Sequence, residues 1–443
     1  MLLEQLAKLA DIESDTVFLK GKNYRITFEE LSFAIGSRSK PLTGIGIISG
    51  LRVAIVLDDS RDIIEILLSC WQLGAIPVLI SPNATIVEYS SYISCSKPDM
   101  IITNWKISEN LQHIDIPVFP IEELSQGFGG CAPAQFYNKL DLNQIRLILF
   151  TSGSTGSPKA VQLTEQNLIE SATKWHEEIQ FCQNDVYLNC LPMYHIGGIS
   201  IFIRSLIYGF STYQLNKFNI KNITYLLKSE QISLISMVPT MLQRLLDESE
   251  DKLPPSLRGL IISGGPSSEV LMNRCIAHNI PVYKSYGMTE TSSGICGFWL
   301  HDYPSKFDSV GLPFIKTKCQ INDSVLHISS STIMNGYFEE EPTGNWLNTG
   351  DFASIDDEGF IYINMRRHDR IVTGGENVNP EEVEKILLSH SQITFAKVYG
   401  EPDEKWGRMV VAEISTDLKT DEIYAWLSGK ISNYKIPKVI YLK

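Results

Sequence analysis

Between Val53 and Ile80 the chain passes from an apolar run through DDSRD and a helical pattern to a glycine and a second apolar run, an order that confines this region to α/β architecture. Val53 to Leu57 has the composition of a buried strand. An Asp or Ser of DDSRD can cap a helix predicted over Arg61 to Leu73, and Ile63, Ile66 and Leu67, with Trp71 nearby, turn its apolar surface to a sheet. Gly74 stops that helix, Ile76 to Ile80 restores strand character, and SPNA breaks it. The same grammar recurs from Ile145 to Phe150, Gln231 to Met237 and Leu260 to Ile262. After about Ser309, the segments GLPF, LHISS, IMNGYF, DEGF and IYIN read as short strands joined by Gly- and Asn-rich turns. We therefore expect an N-terminal domain over residues 1–364, β-rich near 309–364, and a small C-terminal domain over 365–443. That last unit should hold a helix near Glu381 to Leu388 and strands at Val398 and Met409 to Ile414.

A length of 443 residues agrees with this division, because it exceeds what one core usually organises. Apolar residues at 44% and charged residues at 20% are ordinary globular proportions. The net charge of -13 opposes a broad nucleic-acid footprint while leaving room for a local basic pocket. MLLEQLAKLADIESD has early acids and no small-residue cleavage pattern, and the most apolar stretches are too short or too interrupted by charge to span a bilayer. A cytoplasmic protein without stable membrane insertion is expected. The eight cysteines lack paired ligand spacing, so no zinc or iron–sulfur site is expected.

The sharpest local signal is LILFTSGSTGSPKA, Leu147 to Ala160. Thr151, Ser152, Ser154 and Thr155 set hydroxyls on a frame in which Gly153 and Gly156 permit close backbone approach, and Lys159 adds positive charge; the combination suits phosphates. It is not a Walker A loop, since Pro158 precedes Lys159 and Ala160 follows it. A strand before the segment and a helix after it favour a phosphate loop over a plain Ser/Gly turn. In LPMYHIGG, Gly197 and Gly198 relieve crowding beside His195, which can contact a bound carboxylate or serve a structural role. Arg204, on the apolar run ISIFIRSLIYGF, is either an inward partner for an anionic acid or a surface arginine that snorkels.

Ser263, Gly264 and Gly265 of ISGG leave a purine ring room against the backbone, and KSYGMTET supplies the aromatic face of Tyr286 beside Gly287. In that segment Thr289 can meet a phosphate oxygen and Glu290 can hold magnesium or a metal-bound water. Asp351 of NTGD can accept from both hydroxyls of a ribose, and Arg366 can read sugar or phosphate charge. Gly374 and Gly375 of TGGENVNPEE leave room for a second ligand or a changing domain contact, although turn formation also explains such glycines.

In this order TSGSTGSPK, YGMTE, TGD, the Arg366 region and GGENVNPEEVE resemble the adenylate-forming superfamily of acyl-CoA ligases, amino-acid-activating domains and luciferases, from about Thr27 to the C-terminus. The resemblance implies an α/β fold with a large N-terminal domain of two α/β subdomains and a small β-barrel, then a mobile α+β lid. It implies ATP with its phosphates along Thr151 to Lys159, its adenine near Gly264, Gly265 and Tyr286, its ribose on Asp351, and magnesium associated with Glu290 near Thr289. A carboxylate would attack the α-phosphorus to give an acyl-adenylate and pyrophosphate, with Lys159 and Arg366 offsetting charge. Lid rotation would then admit the thiol of coenzyme A past Gly374, Gly375 and Trp406. LPMYHIGGISIFIRSLIYG and SMVPTMLQRLL resemble the 2-succinylbenzoate-CoA ligase subgroup of menaquinone biosynthesis, which implies that acid as substrate, near His195, Gly198 and Arg204, and admits a homodimer. Ligases for other aromatic or medium-length acids share the framework, and a nucleotide-binding protein with impaired catalysis is the alternative of a different class.

Two departures from the family pattern qualify this expectation. The arginine-containing hinge motif normally begins with glycine, but here reads Met365-Arg366-Arg367-His368-Asp369, which puts His368 at the expected pivot. The sequence also ends in NYKIPKVIYLK, ahead of the family's glycine-lysine segment, and neither Lys435, Lys438 nor Lys443 matches that position. A molecule ending there is expected to adenylate weakly.

Overall fold

The computed structural model describes residues 2–12, 15–124, 141–152, 157–366 and 371–442, and excludes the side chains of Ser152, Met365 and Arg366. The predicted strand-helix-strand unit is present as Arg52–Val56, Ser60–Gln72 and Ile76–Leu79. Asp59 caps the helix by accepting from the backbone N–H groups of Arg61 and Asp62, and Gly74 leaves it at φ +75°. Ile63, Ile64, Ile66, Leu67 and Leu68 are all buried, so truncating Ile66 to alanine would cost about 2–5 kcal/mol. Trp71 adds a polar tie, its indole N–H donating to the carbonyl of Arg146 on a neighbouring strand.

Those strands belong to a seven-stranded sheet whose centre runs Ile145–Ser152, Ile76–Leu79, Arg52–Val56 and Met100–Thr103 in parallel. A nine-stranded sheet carries Val186–Asn189, Leu234–Met237, Gly259–Ile262 and Val282–Met288, also parallel to one another. In open α/β sheets, ligands bind outside the carboxyl ends of such strands. TSGSTGSPK begins at one such end, and the LPMYHIGG, ISGG and YGMTE segments follow the others.

One local expectation is corrected. The strand Ile145–Ser152 is followed by an antiparallel strand, Pro158–Thr164, with Thr151 opposite Lys159, and the helix Glu165–Ile179 comes only afterwards. The next described element after Ser152 is thus a strand rather than a helix, because Val161 and Leu163 alternate as a strand and are fully buried. The β-rich segment forms an antiparallel sheet of four strands, Lys318–Asn322, Val325–Ser329, Leu347–Ile355 and Ile361–Arg366. Hydrogen bonding does not join its first strand to its last among the described residues; the outer strand is bridged instead to Gly311.

From Ile371 onward the strands form a separate sheet built on the long hairpin Ile393–Asp403 and Gly407–Thr416, with Val439–Leu442 added in parallel. The helix Pro380–Leu388 begins at Asn379, whose side chain accepts from the N–H of Glu381, with proline in the first turn. Its own core includes Ile371, Val383, Leu387, Val410 and Ile423. No helix among the described residues is long and apolar enough to cross a membrane. The seven described cysteines are free, and no cluster of three or more metal-ligating side chains occurs among the described residues.

Candidate active site

The carboxyl ends of both large sheets and one face of the C-terminal unit enclose a cavity of about 720 Å³. Thr151, Lys159, Thr289, Glu290 and Asp351 line it, together with Gly264, Tyr286 and Gly287. So do His195, Gly198 and Arg204, while Gly374 and Gly375 line it from the C-terminal unit. Gly265 does not: a Cβ there would lie 3.3 Å from Val372, so this glycine serves the contact between the two units rather than the cavity wall. Trp406 is likewise outside the lining, with its ring 3.0 Å from the Cβ position of Gly374. Gly153, Ser154, Thr155 and Gly156 lie outside the described residues, as do Arg367, His368 and Asp369 and the side chains of Ser152 and Arg366.

Glu290, 4% exposed, organises the Thr151 end of the cavity. Its Oε1 accepts from Thr151 Oγ1 at 3.3 Å and from the hydroxyl of Tyr337 at 3.0 Å, and no lysine or arginine pairs with it among the described residues. A buried carboxylate supported only by hydroxyls suits a hard cation that keeps most of its water or phosphate ligands, so the donor chemistry fits magnesium. Lys159 stands 4.2 Å over the Tyr337 ring and pairs with Glu340 at 3.1 Å. Nearby, Asp351 accepts from the Tyr286 hydroxyl at 2.7 Å through Oδ2, which fixes the carboxylate beside the aromatic face predicted for a purine.

His195 caps the helix Ile196–Tyr208 by position but not through its side chain, which turns to Glu376 of the C-terminal unit at 3.1 Å. Burial opposes the charged ring, yet the Glu376 carboxylate outweighs it and raises the His195 pKa; Glu376 is lowered in return, against its own burial. Gly198 admits no side chain, since a Cβ would meet the Pro192 carbonyl oxygen at 2.2 Å. This contact holds the LPMY turn against the first turn of the helix and so presents His195.

Arg204 is 3% exposed and settles the alternative left open by the sequence: it points inward. Its guanidinium lies 4.5 Å over the Trp175 ring and donates to Ser293 Oγ at 2.9 Å, and no carboxylate pairs with it among the described residues. Burial lowers its pKa to about 10, against the Tyr187 hydroxyl, which favours the charged form.

Sequence reasoning missed the groups that close the cavity from the C-terminal side. Lys435 reaches Glu88 at 2.6 Å and Glu382 at 2.8 Å, and Ser432 donates to Glu88 Oε2 at 2.5 Å. Burial works against the ammonium, but Glu382 and Glu88 raise its pKa, while Glu88 is lowered despite burial by Lys435. Trp175, Ser200, Ser285 and Tyr337 also line the cavity. Ser200 lies in ISIFIRSLIYGF, Ser285 in KSYGMTET, Glu382 in TGGENVNPEE and Tyr337 in IMNGYF, but none of them was read as a site residue, while Trp175 and Glu88 stood in no segment singled out.

The family model for AMP-binding enzymes matches residues 6–338, and that for the AMP-binding enzyme C-terminal domain matches residues 382–443. A 2-succinylbenzoate-CoA ligase of Bacillus cereus is 30% identical over 452 aligned positions, covering 98% of this chain and 92% of that protein. Among solved structures, a doubly substituted o-succinylbenzoate CoA synthetase of Bacillus subtilis with its product analogue OSB-NCoA aligns at TM-score 0.94 and 28% identity, over 99% of this chain and 94% of that one. The Bacillus subtilis synthetase with the acyl-adenylate OSB-AMP aligns at 0.79, with the same identity and coverage. The present arrangement thus follows the product-analogue complex more closely than the adenylate complex. Sharing this fold and sequence, the chain belongs to the AMP-binding, adenylate-forming enzyme family.

Proposed function

We propose that this enzyme couples 2-succinylbenzoate to coenzyme A at the expense of ATP, yielding 2-succinylbenzoyl-CoA, AMP and pyrophosphate, in the cytoplasm and as a step toward menaquinone. The observation that carries the reading is the cavity itself, with Thr151, Lys159, Glu290 and Asp351 at one part and the uncompensated, buried Arg204 at another. A substrate with two carboxylates suits it, since one can react at phosphorus while the other neutralises Arg204. The names of the Bacillus relatives supply independent support.

On this reading residues 1–364 act as the adenylating body and 365–443 as a lid. Asp351 orients the ribose, held in place by Tyr286, while Thr151, Thr289 and Lys159 direct the phosphates. Magnesium at Glu290 would supply charge neutralisation on the phosphate oxygens. A bare carboxylate is a poor acyl donor, whereas AMP is a competent leaving group, so the work of the protein is positioning and electrostatic stabilisation. The carboxylate oxygen attacks the α-phosphorus and the P–O bond to pyrophosphate breaks. The thiol, losing its proton, then attacks the acyl carbon and the bond to AMP breaks. Gly374 and Gly375, at φ +60° and +92°, let the lid backbone approach the cavity where this second attack occurs. Mass analysis of AMP-linked and CoA-linked products from a panel of carboxylic acids tests the whole sequence. Turnover of another acid with none of 2-succinylbenzoate would reject the substrate, and ATP binding without any AMP-linked product would reject the chemistry.

A further inference from the structure

The cavity floor carries a group of polar atoms that the fold does not satisfy. Trp175 Nε1, Ser200 Oγ, Arg204 Nε and Ser285 Oγ all find no hydrogen-bond partner, and the four residues are 2%, 4%, 3% and 6% exposed. All four line the cavity, yet they come from three elements: the helix Glu165–Ile179, the helix Ile196–Tyr208, where Ser200 and Arg204 lie one turn apart, and the strand Val282–Met288. An unsatisfied buried polar group costs about 1–3 kcal/mol, so several in one chamber point to a ligand that satisfies them. The chemistry of the set is one-sided. Indole and guanidinium nitrogens only donate, and the hydroxyls can donate, so the matching ligand is rich in acceptors and anionic.

The ring of Trp175 has a structural explanation, because it packs 5.3 Å from Phe314 and 5.8 Å from Tyr283. Its N–H has none. Gly294, across the chamber wall, makes room for the indole: a Cβ there would lie 2.5 Å from the ring.

Resting on the dianionic-acid reading above, we propose that Trp175 is a specificity-determining residue whose indole N–H joins Ser200, Ser285 and Arg204 in binding the substrate carboxylate that is not joined to AMP. The chamber therefore selects dicarboxylic acids over monocarboxylic acids of equal size, and Trp175 sets both the donor geometry and the depth of the floor.

The test is calorimetric titration of the wild type, Trp175→Phe and Ser285→Ala with 2-succinylbenzoate and with its monoester capped on the carboxylate that is not activated. Trp175→Phe keeps an aromatic ring and removes the donor, and should weaken the diacid by roughly tenfold or more while changing the monoester by less than about threefold. Ser285→Ala should shift the same ratio in the same direction, and it decides the matter if thermal unfolding shows that Trp175→Phe is misfolded. Equal losses for diacid and monoester would reduce Trp175 to packing and overturn the proposal. If the wild type prefers a different diacid, the substrate named above falls; a selective loss of that diacid in Trp175→Phe still upholds the donor set, and a uniform loss overturns it.

Discussion

The floor of the cavity and the seam beneath the C-terminal unit are both buried and polar, but they are finished differently. On the floor, Arg204, Trp175, Ser200 and Ser285 keep unpaired atoms. Along the seam, Lys435 meets Glu88 and Glu382, Ser432 meets Glu88, and His195 meets Glu376. Unpaired groups in a rigid wall are complementary to something that arrives; paired groups across a boundary hold two bodies in one relative position. On the proposed reading the floor serves recognition and the seam sets conformation, in line with the better superposition on the product-analogue complex.

The largest expected effect falls on the seam. Lys435→Ala leaves the buried Glu88 and the partly buried Glu382 as neighbouring carboxylates without their cation, at a cost of about 3–5 kcal/mol to the docked arrangement. Hydrogen exchange should then rise in residues 85–92 and 430–436; unchanged protection would mean that the cluster does not hold the lid. Arg204→Ala should lower kcat/KM for 2-succinylbenzoate by roughly 10–100-fold while sparing monocarboxylic acids. A uniform loss would erase the distinction between floor and seam, because it would make Arg204 structural.

A smaller effect concerns pH. The raised His195 pKa gives docking stability that is full below the ordinary value of 6.5 and disappears as pH rises through the shifted value. The lowered Glu376 pKa gives stability present above 4.5 and lost as pH falls through its own shifted value. Docking through this pair should therefore weaken above neutrality, and Glu376→Gln should flatten that limb of the exchange profile. A profile identical to wild type would remove the pair from the seam. Smallest of all, Glu340→Gln frees Lys159 from a partly exposed pair worth at most about 1 kcal/mol, and should lower the KM for ATP no more than about fivefold. A rise in KM would show that Glu340 positions the lysine instead of competing for it.

The parts legible in the sequence are those built from near neighbours. Asp59 before its helix, Gly74 after it and Asn379 ahead of Pro380 act within a few residues, so their roles are written locally. The strand Pro158–Thr164 was misread because the proline and lysine that open it obscure the alternation of Val161 and Leu163. The motif residues around the cavity were legible as types, but their meeting was not: Thr151 and Glu290 are 139 positions apart. Trp175 was invisible as a site residue, since on the mostly polar helix Glu165–Ile179 a lone tryptophan reads as core, and its ring does pack there. Only the absence of a partner for its N–H, a property of the folded chain, marks it out.

Glu88 has two duties. Its Oε2 accepts from the backbone N–H of Thr85 at 2.8 Å and so completes the capping box that starts the helix Ile86–Ser96, while the same carboxylate receives Lys435 from 347 positions downstream. The mooring post for the last domain is thereby a by-product of starting a helix in the first. During synthesis the post can stand before the rope is made, and any substitution that frays the helix start also unmoors the far end of the chain.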